Sequence, residues 1–194
     1  MKYIRIIFAL ALSFSMLSAF WSGKSDADRE KENTQARMER LKSSEEILQL
    51  LYKYAPEAKN MIDISYGYAT FSNIGVNLVI MSAEGGYGLA HNNKTGEITY
   101  MNMGSGGVGF GLGVKDFKAI FLFENQKAFD NFVNYGWEAN AQADAAVKAG
   151  ESGGAINAAI TVAPGIRLYK LTQNGLAIQA TIQGTKYWKD SDLN

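Results

Sequence analysis

The sequence predicts an α+β domain: a curved, Gly-rich antiparallel β-sheet or partly closed barrel, with N-terminal helices and one inserted helix packed against it. Three observations carry this. Short runs rich in β-branched and aromatic residues, separated by glycine and asparagine, fill most of the chain beyond Tyr66. Apolar residues at helical spacing are confined to the stretch before Tyr66 and to one stretch after Asn125. Between Met103 and Glu124, glycines 107, 109, 111 and 113 alternate with Val108, Phe110, Leu112 and Val114, the period of a strand with one bare and one apolar face. A backbone can approach the bare face closely, so Gly109→Val is expected to overpack it.

Composition fits one domain. The chain has 194 residues, 47% hydrophobic and 20% charged, enough for a well-buried core and unlike a disordered sequence. Nineteen basic residues balance nineteen acidic ones, so no electrostatic footprint of a nucleic-acid binder exists at whole-chain level. Cysteine is absent, which removes disulfides, thiolate metal sites and a lipobox for acyl anchoring.

Lys2 and Arg5 precede the apolar run Ile6 to Trp21, the layout of a secretory signal. The run is short for crossing a hydrocarbon core of roughly 30 Å, so export to the periplasm or outside is expected, with cleavage after Ala19. Leu17 is bulkier than the usual residue at minus three. An uncleaved segment that keeps the protein membrane-associated is therefore the alternative. From Lys24 to Glu46, thirteen of twenty-three residues are charged, reading as a solvated helix or flexible tether. The organisation is then a signal at 1–19, a charged tether or solvated helix at 20–42, and a domain at 43–194.

Ser43 with Glu46 forms a capping box, after which Ile47, Leu48, Leu51 and Tyr54 share one helical face. Pro56 suits the first turn of a second helix reaching about Ile62. Strands are expected at Tyr66–Phe71, Val76–Ala83, Glu84–His91, Ile98–Met103, Gly107–Val114 and Phe117–Phe123. Asn125 caps a helix whose inward face is Phe129, Phe132 and Val133, with Gly136 at its end. In Trp137 to Ala145, alanine favours helix but alternation with polar residues favours strand, and strand is the choice made. Further strands follow at Ala155–Val162, Ile166–Thr172 and Leu176–Gln183, the last two joined by a turn at Asn174-Gly175.

Motifs with catalytic associations do not survive their context. Gly104, Gly106 and Gly109 match G-x-G-x-x-G, with Glu124 twenty residues beyond the first, but no helix opens after them to face a pyrophosphate. Gly150 to Gly154 fits the G-x-S-x-G elbow around Ser152, yet the single histidine, His91, precedes the serine, contrary to the hydrolase order. A serine hydrolase using His91, Asp116 or Asp130, and Ser152 stays as an alternative, although His91 lies beside Asn92 to Gly96, a hairpin tip expected in water. One histidine and no EF-hand-like acid spacing leave no metal site, and no cofactor motif is present. A small outer-membrane β-barrel is the other alternative. Against it stand strands shorter than the roughly 9 to 11 residues such barrels use, an interrupting helix, and the near-continuous apolar character of Phe117–Phe123.

One resemblance covers about Ser43 to Asn194. The ordered set Tyr66-Gly67-Tyr68-Ala69-Thr70-Phe71, Gly85-Gly86-Tyr87-Gly88, the glycine strand, Ile120-Phe121-Leu122-Phe123 with its helix, the alanine stretch and Asn174-Gly175-Leu176 resembles the SYLF domain, also called the Ysc-type actin-binding domain. The resemblance implies a non-catalytic lipid-binding module. Eukaryotic relatives bind phosphoinositides through an amphipathic N-terminal helix and some bundle actin, while bacterial relatives are exported. An exported chain meets no actin, so the partners it implies here are phospholipid, a membrane surface or an envelope protein. The candidate contacts are the face Ile47, Leu48 and Leu51 with Lys53 and Lys42 near head groups, and the sheet rim at Lys115 and Lys118. The same apolar face would equally complete a core against the sheet.

Overall fold

One helix, α1 (Asp26–Tyr54), runs without a break through the charged segment and the apolar stripe behind it. No glycine or proline interrupts Lys24 to Ala55, and the segment is rich in Glu, Lys, Arg, Gln and Leu, all good helix formers. The capping box therefore sits at Ser25, not Ser43: the Ser25 hydroxyl accepts the Asp28 N–H at 3.1 Å and donates to the Asp28 carboxylate at 2.7 Å. In this computed structural model the described residues are 25–73, 84–105, 117–140, 143, 159–172, 175–176 and 184–194. The expected signal at 1–19, the strands Val76–Ala83 and Gly107–Val114, and Gly109 lie outside them.

A compact unit spans Ala36 to Asn194. Pro56 ends α1, since a residue before proline is pushed out of helical geometry. A turn follows, and α2 (Ala58–Ile64) begins two residues past the proline. Among the described residues, nine strands then make one antiparallel sheet: β1 (Gly67–Asn73), β2 (Glu84–Asn92), β3 (Ile98–Ser105), β4 (Phe117–Phe123), β5 (Trp137–Glu138), β6 (Ile160–Ala163), β7 (Ile166–Thr172), β8 (Gly175–Leu176) and β9 (Thr185–Lys189). Their order is β5-β9-β3-β2-β1-β4-β7-β6, with β8 added to β7, and the sheet curls as a half-barrel. The α+β expectation holds.

The sheet is buried on both faces. β4 shows why, sending Ala119, Phe121 and Phe123 to one side and Ile120 and Leu122 to the other, the continuous apolar run expected of a doubly covered strand. On the first face, Phe129, Phe132 and Val133 of α3 (Gln126–Tyr135) meet Phe71, Phe121, Phe123 and Tyr187. Phe121 alone has edge contacts to Phe71, Trp137 and Tyr187 at centroid distances of 5.9, 5.4 and 4.9 Å. On the second face, Ile47 and Leu51 of α1, Ala55 just after it and Ile62 of α2 pack on Ile120, Leu122, Tyr169 and Leu171. Glycine lets β1 and β2 come this close: a Cβ on Gly88 would lie 2.0 Å from the Thr70 carbonyl oxygen.

Three expectations are corrected. Among the described residues of the alanine stretch, Trp137–Glu138 is strand, the Asn140 side chain accepts the Ala143 N–H at 2.9 Å and Ala143 is helical, so at these positions local capping and alanine's propensity prevail over alternation. Gly175 pairs with Thr172 and is a strand residue. β9 was not expected at all, yet it joins β5 to β3. Asn125 does cap α3, its Oδ1 accepting the Ala128 N–H at 3.0 Å. Asn125→Ala is expected to cost about 1 kcal/mol. Calorimetry should show it as a melting temperature lower by roughly 2 to 4 °C.

Candidate functional site

The lipid-contact residues expected from the sequence are not brought together on one surface. Ile47 is 1% exposed and Leu51 is not exposed at all, so both are core residues and present nothing to a membrane in this conformation. The physical reason is that Ile120, Leu122, Tyr169 and Leu171 form an apolar sheet face that the helix stripe must cover. Leu48 is half-buried beside them. Lys53 is exposed, its ammonium 5.5 Å from the Tyr54 ring centroid. Lys118 is half-buried in β4, with Ser72 and Leu171 as its cross-strand partners, and Lys115 lies outside the described residues. Along the outer side of α1, Lys42, Glu45, Glu46, Gln49, Leu50 and Lys53 line an open groove of about 490 Å³. Two lysines and two glutamates balance there, and Lys42 already pairs with Glu46 at 3.8 Å, so the groove selects no anion.

α1 is held down by charge as well as by apolar packing. The Arg40 guanidinium donates to the Met101 carbonyl at 2.8 Å, to Asn102 Oδ1 at 3.1 Å and to Asp190 Oδ2 at 2.6 Å, and stands over the Tyr87 ring. Arg37 reaches the Leu193 carbonyl at 2.9 Å. Burial by itself would raise the Asp190 carboxyl, but the Asp192 N–H, the Arg40 guanidinium and Asn102 outweigh it and hold the group below its ordinary range. From Arg40 to Leu51 the helix advances about 16 Å, close to the roughly 14 Å from β3 to β4, so α1 crosses the strands and ties both halves of the sheet.

The hydrolase residues are dispersed. His91 is not a solvated hairpin residue: its ring stacks on Tyr68 at 5.1 Å and Nδ1 meets Asn93 Oδ1 at 3.1 Å, because the strand register sets His91 directly opposite Tyr68. Tyr68 belongs to the α1 side of the sheet, whereas α3, which carries Asp130, packs on the other side. Ser152 and Asp116 lie outside the described residues. Glu124, the acid of the nucleotide fingerprint, is instead an ion-pair partner of Arg167 at 2.8 Å. Burial raises the phenols of Tyr68, Tyr169 and Tyr187, which moves them away from proton transfer near neutral pH. Among the described residues no helix is long and apolar enough to cross a membrane.

No protein-family model matches the chain. Beta cell expansion factor A from Aeromonas veronii is 38% identical to it over 143 residues, which is 74% of this chain and 53% of that relative. The chain thus spans about half the length of the curated relative it matches.

Sequence reasoning missed the large apolar side chains that the folded unit leaves in solvent. Tyr135, the last residue of α3, is 87% exposed and Trp188 of β9 is 45% exposed. Their backbones approach each other, although Trp188 alternates with the buried Tyr187 and so faces the side of the sheet away from α3. A Cβ on Gly136 would lie 2.6 Å from the Tyr187 carbonyl oxygen and 3.7 Å from Trp188 Cα, so the end of α3 rests against β9. Only the positive φ of Gly136, +75°, allows that turn, and the glycine after a helical stretch was the one signal available in the sequence.

Proposed function

We propose that this chain is a SYLF-like, non-catalytic lipid-binding module, exported to the cell envelope or beyond and acting at a membrane surface. The observation that carries the reading is that two large amphipathic rings stand in solvent among the described residues, Tyr135 at 87% and Trp188 at 45% exposure. The resemblance of the Tyr66–Phe71, Gly85–Gly88 and Ile120–Phe123 set to the SYLF domain supports it. So does the exported layout of the first nineteen residues. The similar Beta cell expansion factor A is named for an effect on beta cells, and an exported protein meets a cell first at its membrane.

Co-sedimentation with vesicles tests the reading. Purified protein is expected in the pellet with vesicles of phosphatidylcholine mixed with an anionic phospholipid, and a head-group series would rank the lipids. Protein that stays in the supernatant with every head group overturns the proposal.

A further inference from the structure

We propose that residues 36–44 of α1 form a strap that lifts from the sheet separately from the half of the helix carrying Ile47 and Leu51, with the Asp190 carboxylate as its latch; this goes beyond the lipid-binding reading and does not depend on it. The two halves are seated by different chemistry. Ile47 and Leu51 sink into the apolar cluster of Ile120, Leu122, Tyr169 and Leu171, and unseating them would return that sheet face to water. Before Ile47, no apolar side chain of α1 is buried: Met38 is 59% and Leu41 is 39% exposed. The groups turned to the sheet there are Arg37, Arg40 and Ser44.

A helix half held by polar groups is cheap to release. Its bonds go to the Leu193 carbonyl, to Met101 and Asn102 of β3, to Asp190 and to Thr70 of β1, and water can replace each of them. A nearly buried ion pair also repays only part of its own desolvation. Asp190 is the latch because one carboxylate holds both attachments. Its Oδ2 takes the Arg40 guanidinium at 2.6 Å, while its Oδ1 accepts the Asp192 and Leu193 N–H groups at 2.9 and 3.3 Å and so fixes the turn that offers the Leu193 carbonyl to Arg37. Lifting has a defined consequence. The register Tyr87↔Asn102↔Trp188 sets these three side chains in one row on the α1 face, so an open strap would join Tyr87 and Asn102 to the already exposed Trp188.

Native-state hydrogen exchange in low urea tests the strap. An unseated helix half is too short to keep its own hydrogen bonds, so amides 40–44 exchange once it lifts. They should exchange through an opening that low urea barely changes, whereas amides 47–54 should need a larger opening that urea promotes steeply. Asp190→Asn keeps the size of the side chain and removes its charge, and should speed exchange of amides 40–44 about tenfold. Ile120→Val, in the apolar half, should speed exchange of amides 47–54 roughly two- to tenfold and leave 40–44 unchanged, because the Ile120 contacts persist while the strap is up. Amides 40–44 that follow urea and Ile120→Val in step with 47–54 overturn the strap, since α1 then leaves the sheet only as a whole. Amides 40–44 that ignore Asp190→Asn overturn the latch.

Discussion

Leu51→Asp is expected to unfold the compact unit, with a loss of about 4 kcal/mol or more in chemical denaturation. The side chain is fully buried in a predominantly apolar cluster with Ile47, Ile62, Ile120, Leu122, Tyr169 and Leu171, a setting that penalises a carboxylate. Leu48→Asp, at the half-buried flank of the same helix, should cost far less. The contrast separates the two roles the helix face could have. A membrane-inserting face would tolerate both substitutions in solution and lose lipid binding; a core face tolerates only the outer one. A Leu51→Asp protein that melts like the wild type would mean that α1 is not seated on the sheet.

Much of this was legible because it is set by local chemistry. Phe117–Phe123 reads as a doubly buried strand from its nearly continuous apolar run, and Asn125 reads as a cap because its short side chain reaches a free N–H three residues on. Local rules failed where the deciding partner is distant. Ser43 and Glu46 form a capping pattern, yet the helix continues through them, and the neighbouring Ser44 hydroxyl accepts one from Thr70 across the core at 2.8 Å. His91 looks solvated beside its hairpin until the register sets it against Tyr68. Arg40 looks like one of many solvated helix charges; its acid, Asp190, is 150 residues away. The Ile47, Leu48 and Leu51 stripe stays open between two roles in the sequence for the same reason, since amphipathicity alone does not say whether a stripe meets a sheet or a membrane.

Arg40→Met is expected to cost about 3 kcal/mol, because it leaves the Asp190 carboxylate nearly buried without its counter-charge. Asn102 and the Asp192 N–H remain near the carboxylate, which keeps the loss below that of a fully orphaned charge. The pH dependence gives the stricter check. In the wild type the Asp190 carboxyl titrates below the ordinary 3.8, so its contribution is fully present above about pH 4 and is lost as pH falls through the lowered folded value. Without the guanidinium the balance shifts toward burial and the folded carboxyl titrates higher than in the wild type, so the variant has less to lose as pH falls. The stability gap between wild type and Arg40→Met should therefore narrow below about pH 4 in parallel urea titrations. Arg40→Met with Asp190→Leu should recover most of the loss, since replacing a whole buried pair by apolar groups is close to neutral. A gap that is constant with pH would show that Arg40 acts through its bond to the Met101 carbonyl and its packing on Tyr87, and not through Asp190.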